Sequence, residues 1–255
     1  ASMPSPAGDV GSVGTGSVGT GSVGTGSMDG DRGSDILAVV PDDPATETAE
    51  PAGAATRRRD VVIAGHRGDD ATVRDAGADP DPSVRAAALG ALGRLGALGA
   101  DDVVAAFADP SAVVRRRAAQ EAATVDDRPV EVDAALERAL GDPDPLVVEA
   151  ACWAFGEREV PGAVTALGDV ARSHQDMRCR EAAVAALGAI GEPAGMAAVL
   201  AALDDKPTVR RRAVVALAAF DDPAADEALR RSLDDRDWQV RQAASVLLDD
   251  DSPEV

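Results

Sequence analysis

Few side chains of this sequence have the chemistry that catalysis or metal binding requires. The chain contains two histidines and two cysteines, His66, His174, Cys152 and Cys179. Three of these fall near each other in the sequence, but a structural zinc site needs four ligands, and buried free thiols are common core residues. The sequence has neither a glycine-rich phosphate loop after a strand nor a Ser/His/Asp set. We therefore predict no catalytic residue, no metal and no cofactor.

Arginine triplets are the second group of candidates, because the chain is otherwise strongly acidic. They lie at residues 57–59, 115–117 and 210–212. In the last two triplets we assign the first arginine to a structural contact. This leaves Arg116, Arg117, Arg211 and Arg212 for acidic neighbours or for an anionic partner. Both alternatives stay open, since surface charges pair readily for little gain in free energy.

The elements that carry these side chains follow from a repeated Val-Arg-x-x-Ala phrase, which returns about every thirty residues. The six copies begin at Val84, Val114, Val147, Cys179, Val209 and Val240. A unit of this length cannot bury its apolar face alone and must stack on copies of itself. Asp- and Pro-rich turns precede the copies, with good N-cap residues for the helix that follows. The pattern predicts an all-α solenoid of about six two-helix repeats.

The predicted repeats span residues 69–96, 99–125, 130–157, 160–191, 193–220 and 222–250. A lone helix at 57–66 should cap the first repeat, because it matches the second half of an incomplete unit. In each second helix, positions 0, 4, 8 and 11 counted from the Val fall within about 80° and form the buried stripe. Position 4 is Ala in all six units, so neighbouring helices must approach closely there.

Residues 1–56 and 251–255 fall outside the predicted helical domain, which spans 57–250. A Ser-Val-Gly-Thr-Gly tandem and an acidic stretch fill most of residues 1–56. Such a composition has too little apolar surface to offset the entropy of ordering, so we expect a disordered arm. Residues 1–27 are either a native low-complexity tail or an added linker before a start at Met28.

Composition narrows the classes of partner. The net charge is −20 and Lys206 is the single lysine. This acidic, lysine-poor surface is typical of proteins adapted to high intracellular salt, and it argues against nucleic acid, which needs a basic footprint. No apolar run approaches the length of about 20 residues that spans a membrane, and a signal-peptide layout is missing. We expect a cytoplasmic, monomeric protein without a membrane partner.

Positions 2, 6 and 9 of the second helices lie opposite the buried stripe, and we expect them to face a concave groove. Trp153, at position 6, is the natural anchor for a partner, since Trp is favoured at interface hot spots. The alternative is that Trp153 folds over the small Ala185 as local packing. The candidate partner-binding residues are Arg116, Gln120, Glu149, Trp153, Glu181, Arg211, Val215, Gln242 and Val246.

The phrase Asp-x-Asp-x-x-Val-Arg-x-x-Ala-x-x-Ala-Leu-Gly resembles the HEAT repeat, and more narrowly the phycobilisome-lyase-like class of short HEAT units. The resemblance covers residues 70–250 and is best at 79–96, 176–191 and 204–220. It implies a right-handed superhelix with second helices on the concave face, and a ladder of hydrogen bonds between turn Asp and helix Arg. The implied ladder uses Asp79, Asp109, Asp142, Asp204 and Asp235 with Arg85, Arg115, Arg180, Arg210 and Arg241. Val148 and His174 depart from this pattern.

These observations predict a non-enzymatic scaffold or adaptor that binds a protein partner or a peptide segment along the concave face. The resemblance leaves a lyase-like factor for attaching a chromophore or cofactor as an alternative. A nucleic-acid-binding helical repeat is a second alternative, which the acidity of the chain opposes.

Overall fold

The computed structural model describes residues 53–125 and 129–250, and within these ranges the chain forms thirteen α-helices and no strand. In chain order they are α1 (Ala54–Arg67), α2 (Asp70–Asp75), α3 (Pro82–Leu95), α4 (Ala100–Ala106), α5 (Ala112–Ala122), α6 (Val130–Ala139), α7 (Pro145–Arg158), α8 (Val164–Ser173), α9 (Met177–Ile190), α10 (Met196–Ala201), α11 (Pro207–Leu217), α12 (Pro223–Ser232) and α13 (Trp238–Asp250). Short 3-10 turns follow α2, precede α8 and flank α10 on both sides.

The helices form a solenoid of two layers. One layer contains α1 and the second helix of each unit. These helices pack in chain order, each on the next: α1, α3, α5, α7, α9, α11 and α13. The helices α2, α4, α6, α8, α10 and α12 each pack on the second helix of their own unit. The predicted fold class, an all-α stack of two-helix repeats, is confirmed.

The first helix begins earlier than the sequence predicts. Helix α1 starts at Ala54, so residues 54–56, which the prediction assigns to the disordered arm, are helical. Ala54 is fully buried in the apolar cluster that α1 forms with α3. This tertiary packing stabilises the helix beyond its predicted first residue. The remainder of the predicted arm, and the predicted tail at 251–255, lie outside the described residues.

Turn chemistry sets where the second helices start. Asp side chains accept a hydrogen bond from the backbone N–H two residues on, which satisfies a free donor of the first turn. They are Asp81, Asp144, Asp176 and Asp237, at 2.8–2.9 Å. Ser111 and Lys206, predicted at the same position, make no such bond. Proline occupies the first turn of α3, α7 and α11 as predicted, where its missing N–H costs nothing.

The predicted buried stripe is confirmed at positions 0 and 4. Every residue at position 0 and every residue at position 4 of the second helices is buried. The position 4 residues are Ala88, Ala118, Ala151, Ala183, Ala213 and Ala244. A core of Ala, Val and Leu at these positions brings the helices close together, which makes the small size of position 4 a packing requirement.

Position 9, which we predict to face the groove, also lies against the next second helix at Gly156 and Gly188. A Cβ added at Gly188 would come within 2.7 Å of the Ala216 Cβ and within 2.8 Å of its Cα. A Cβ added at Gly156 would lie 3.2 Å from the Cα of Ala186. Glycine is needed here because the backbone of the neighbouring helix occupies the space that a side chain would take.

A ladder of arginine–aspartate pairs joins consecutive units on the turn side of the stack. The guanidinium of Arg115 donates from Nε and Nη2 to the carboxylate of Asp142 at 2.7 and 2.8 Å. Its Nη1 donates to the carbonyl of Asp109 in its own turn at 3.0 Å. Arg85–Asp109, Arg180–Asp205 and Arg210–Asp235 are further rungs with the same geometry. Each arginine therefore contacts two turns at once with charge-assisted, bidentate geometry.

Two members of the ladder differ from the implied set. Asp205 accepts from Arg180, where the resemblance implies Asp204, because the turn of that unit is one residue shorter: Arg210 follows Asp205 by five residues, whereas Arg115 follows Asp109 by six. The first rung is Arg57–Asp79, supplied by α1. Sequence reasoning missed Arg57 because it lies outside the Val-Arg-x-x-Ala phrase. Among the described residues, Arg241 hydrogen-bonds to its own turn and to no aspartate of another unit; its Nη1 donates to the carbonyl of Asp235 at 2.7 Å.

We predict that replacing Gly188 with Val lowers the free energy of unfolding by about 1–3 kcal/mol, the usual cost of overpacking. Gly162→Val is the control, since a Cβ there meets nothing within 4 Å. Urea denaturation followed by circular dichroism measures both. Equal stability of the two variants would contradict the close helix approach at Gly188.

We predict that the substitution Asp142→Asn lowers the free energy of unfolding by an amount that depends on pH. Burial by itself raises the pKa of Asp142, but hydrogen bonds from Arg115 and from the Asp144 N–H outweigh it, and the pKa lies below its ordinary value of 3.8. A carboxyl with a lowered folded pKa stabilises the fold above the unfolded pKa of about 3.9 and loses this contribution as the pH falls through the folded pKa. The variant should therefore be less stable at pH 7, by about 1.5–3 kcal/mol for a charged hydrogen bond.

The difference between the wild type and Asp142→Asn should shrink as the pH falls below about 4. Urea midpoints at pH 7 and pH 3 measure it. A difference that stays constant over this range would show that the Asp142 carboxylate charge does not stabilise the ladder.

Candidate binding groove

A pocket of about 470 Å³ lies on the surface that α5, α7, α9 and α11 form together, called here the second-helix surface. Alanines of α9 and Gly156 of α7 line it, and Trp153 of α7 borders it. Its charged lining residues are Arg116, Arg178, Arg212, Glu149, Glu157 and Glu181. Three positive and three negative charges make the pocket locally neutral in a chain whose net charge is −20.

The structure brings part of the predicted site together. Five of the predicted residues line this pocket: Arg116, Gln120, Glu149, Trp153 and Glu181. The other four are exposed on α11 and α13, outside the pocket: Arg211, Val215, Gln242 and Val246. Sequence reasoning left Arg212 open to a partner without placing it in the groove, and it missed Arg178 and Glu157. The signal for Glu157 is helical spacing, since Glu149, Trp153 and Glu157 stand four residues apart and therefore share one edge of α7.

Trp153 is a surface residue. Its exposed fraction is 46%, whereas Phe155, two residues on, is 1% exposed and packs in the core. Trp153 is therefore not a core residue, although it borders the same pocket as Ala185. A half-exposed indole held on a helix presents an apolar face and a ring N–H at the surface.

The arginines after the ladder residues divide into two kinds. Arg117 pairs with Glu121 at 3.3 Å, and Arg212 lies 3.6 Å from Glu181. Within residues 53–125 and 129–250, neither Arg116 nor Arg211 makes an ion pair or hydrogen bond, and both are exposed. These two guanidinium groups therefore keep their charge-pairing capacity for another molecule or another segment.

The pocket spans the one junction between α3 and α13 where the ladder has no rung. Val148 replaces the arginine and is fully buried, and His174 replaces the aspartate. The His174 ring still accepts from the Asp176 N–H at 3.1 Å, as the turn aspartates do. Cys179 lies with its Sγ 3.1 Å from the Pro145 carbonyl, a thiol contact that links α9 to the start of α7. Apolar packing and this contact take the place of the ion pair.

The two cysteines are poor nucleophiles in these positions. Burial is the main cause that raises the pKa of Cys152, and it also raises the pKa of Cys179 to about 11. Thiols rather than thiolates are therefore present at neutral pH, and the thiolate is the reactive form. Among the described residues, no group of three or more His, Cys, Asp and Glu is placed to hold a metal ion.

A buried arginine outside the ladder supports the same region of the stack. Arg158, at the end of α7, is 2% exposed. Its Nε donates to Asp133 of α6 at 2.9 Å, and its Nη1 donates to the Ala122 carbonyl at the end of α5 at 3.1 Å. The side chain thus ties α7 to both helices that precede it. Sequence reasoning assigned this position to the apolar stripe, because it follows Val147 by eleven residues.

Stacked helix pairs, a turn ladder and a lateral pocket define an α-solenoid of helical repeats. The family model described as HEAT repeats matches residues 100–188 and, in a second match, residues 164–249. These matches cover more than half of the chain, and the protein belongs to the HEAT repeat family. A comparison with curated proteins finds no match.

Solved structures agree on the fold. A chain of the complex of CpcE and CpcF of phycocyanin lyase from Nostoc sp. PCC7120 is 24% identical, with 70% of this chain and 75% of that chain covered and a TM-score of 0.53. The E. coli protein YibA is 19% identical over 75% of this chain and 74% of its own, with a TM-score of 0.57. An engineered protein is 20% identical over 71% and 97%, with a TM-score of 0.53. At these identities the likeness shows the fold alone.

No helix in the described part of the chain has the length and apolar character needed to cross a membrane.

We predict that Trp153→Ala lowers the free energy of unfolding by only about 1 kcal/mol, because about half of the side chain already contacts water. Phe155→Ala on the same helix is the matched control and should cost about 3–5 kcal/mol, the range for a buried aromatic. Thermal and urea unfolding compare the two variants. A loss of similar size in both would mean that Trp153 belongs to the core.

Proposed function

We propose that this protein is a non-enzymatic scaffold that binds a segment of a protein partner along the second-helix surface, with Trp153 as the central anchor. The observation that carries the proposal is the half-exposed Trp153 beside an alanine-lined pocket. A binding hot spot typically combines an aromatic anchor with a preformed pocket and flanking charges.

The structure of the lining supports a peptide-like ligand. Alanines on α9 leave room beside the Trp153 ring, and charges of both signs surround it. Such a surface suits an extended or helical segment with apolar side chains flanked by charged ones. Arg116 and Arg211, without ion pairs in the described residues, supply long-range attraction for acidic flanks of the segment.

A chromophore or cofactor attachment factor is the second candidate. The observation in its favour is the structural likeness to a chain of the CpcE–CpcF phycocyanin lyase complex, together with a pocket large enough for a small organic group. An absorbance spectrum of the purified protein tests it, since a bound tetrapyrrole absorbs in the visible range. A spectrum without visible bands after incubation with such a chromophore would retire this candidate.

We further propose that the protein works in the cytoplasm of a cell with high internal salt. A net charge of −20 on a chain of 255 residues produces self-repulsion, and molar salt screens it to within a few ångströms. Binding measurements therefore belong in molar KCl. Lower affinity and lower helicity after dilution into millimolar KCl would support this setting, and no change would contradict it.

A selection from a random peptide library in molar KCl tests the scaffold function. Peptides that the wild type enriches should lose at least about 30-fold in affinity for Trp153→Ala, the loss that corresponds to about 2 kcal/mol at a hot spot. Trp238→Ala is the matched control, because Trp238 is also exposed but lies on α13, outside the pocket. Arg116→Glu with Arg211→Glu should mainly slow association with acidic peptides.

Equal affinity of the enriched peptides for Trp153→Ala and Trp238→Ala would place the binding site elsewhere. Enrichment of no peptide by the wild type would contradict the scaffold proposal itself.

A further inference from the structure

We propose that the partner segment binds this surface through an arginine, whose guanidinium group stacks on the Trp153 ring between the carboxylates of Glu149 and Glu157. Acidic residues on either side of that arginine pair with Arg116 and Arg211. This inference rests on the proposed function, because it names the chemistry of the ligand at the same surface.

Two carboxylates flank Trp153 on one edge of α7. Glu149 precedes it by four residues and Glu157 follows it by four, so their Cβ atoms lie about 5–6 Å from that of Trp153, one on each side along the helix. All three residues line the pocket. The face of an indole attracts a cation through the ring quadrupole, and a carboxylate on each side adds to this attraction.

These two carboxylates keep their capacity for a ligand. Glu149 is half-buried and Glu157 is exposed. Within residues 53–125 and 129–250, neither carboxylate makes an ion pair or a hydrogen bond. A cation that binds between them therefore gains two partners without breaking a contact of the solenoid.

Two arginines that line the pocket have other partners. Arg178 pairs through Nη2 with Asp176 at 3.0 Å, and Nη2 of Arg212 lies 3.6 Å from Glu181. The pKa of Arg178 is raised mainly by its hydrogen bond to Asp176, and Glu149 adds to the rise only through its charge. The unpaired charge beside the indole is therefore negative, although the lining as a whole is neutral.

A guanidinium group suits this arrangement better than an ammonium group. It is planar and stacks on an aromatic ring, and its N–H donors point outward in its own plane. One stacked guanidinium can therefore reach toward a carboxylate on each side, whereas an ammonium is a compact point charge. Ala182, Ala185 and Ala189 of α9 line the same pocket, and their small side chains leave room for the aliphatic part of an arginine.

The charges at position 2 indicate what lies on either side of that arginine. From α5 to α11 this position is Arg116, Glu149, Glu181 and Arg211, so the row is positive at both ends and negative in the middle. A complementary ligand is positive in its centre and negative at both ends. Arg116 and Arg211 are exposed and make no ion pair within the described ranges, which leaves both for acidic residues of the ligand.

Helix spacing sets the distances between these charges. Helix α7 lies one spacing from α5 and two from α11, which is about 8–10 Å and about 16–20 Å. An extended chain advances about 3.3–3.6 Å for each residue. We therefore expect an acidic residue about three positions from the arginine on one side and about five or six positions from it on the other.

The test uses the full chain with Trp238→Phe, which leaves Trp153 as the single tryptophan. The probe is a synthetic peptide of alanine and serine with one central arginine and two aspartates, about three and six positions from it on opposite sides, made in both orders. Titration in molar KCl, followed by Trp153 emission, measures Kd. The same peptide with citrulline, which has nearly the shape of arginine but no charge, should bind about tenfold more weakly.

Glutamine substitutions connect this difference to the two carboxylates. Glu149→Gln with Glu157→Gln should reduce the preference for arginine over citrulline to about twofold or less, the part that the indole alone supplies. The matched control, Glu131→Gln with Glu137→Gln on the exposed side of α6, removes the same two charges outside the pocket. It should keep the tenfold preference, because the net charge of the chain changes equally in both variants.

Three results would overturn the proposal. The first is equal affinity of the wild type for the arginine and citrulline peptides. The second is equal affinity for the arginine peptide and its lysine counterpart, which would mean that guanidinium stacking contributes nothing. The third is a change in Trp153 emission that grows with protein concentration without peptide, since a second copy of the chain would then occupy the surface.

The outcomes separate this inference from the proposed function. If the library yields peptides that depend on Trp153 but are not enriched in arginine, and the Glu149→Gln/Glu157→Gln variant binds them unchanged, the scaffold stands and the arginine site falls. If neither the library nor the designed peptides yield a ligand that depends on Trp153, the scaffold itself falls. Enriched peptides that carry an arginine between acidic residues, and that lose affinity for Trp153→Ala and for the glutamine variant, support both.

Discussion

The stack depends on the hydrogen bonds by which a ladder arginine joins two consecutive turns. Four ladder arginines, Arg85, Arg115, Arg180 and Arg210, donate to a carbonyl of their own turn and, with Nε and Nη2, to the carboxylate of the next turn, as Arg210 does to Asp205 and Asp235. Apolar packing of Ala, Val and Leu is non-directional and tolerates sliding of one helix on another. A bidentate pair with fixed geometry does not, so the ladder sets the register that the core fills.

The junction between α7 and α9, which has no arginine–aspartate rung, is held by other contacts. Val148 and Cys179 are buried between α7 and α9, and the Gly156 backbone lies against Ala186. Register at this junction depends on shape, with Gly and Ala allowing close approach, and on the Cys179 contact with the Pro145 carbonyl. The pocket beside Trp153 lies over this junction. The surface proposed to bind a partner thus covers the part of the stack where units are joined by apolar packing and a thiol contact, without an arginine–aspartate pair.

The pattern repeated six times predicted the helices and the buried stripe, and the resemblance to the HEAT repeat implied most of the ladder. It failed where a residue's role depends on a neighbour outside its own unit. Position 9 is small because the next helix approaches it, and Arg158 fills an apolar position because Asp133 and the Ala122 carbonyl surround its guanidinium. The exposure of Trp153 was undecided for the same reason, since both outcomes fit the spacing on α7.

The first and last copies of the repeat differ from the others. At the N-terminal end, α1 supplies Arg57 to Asp79, so the first rung comes from outside the Val-Arg-x-x-Ala phrase. In the last copy, position 9 is Asp249 in the sequence, whereas this position is Gly or Ala in every preceding copy. The copies between them share the buried alanine at position 4 and small residues at position 9, and the row that contains Trp153 lies on these copies. The surface proposed to bind a partner therefore belongs to the part of the stack where helix spacing follows from repeated residues.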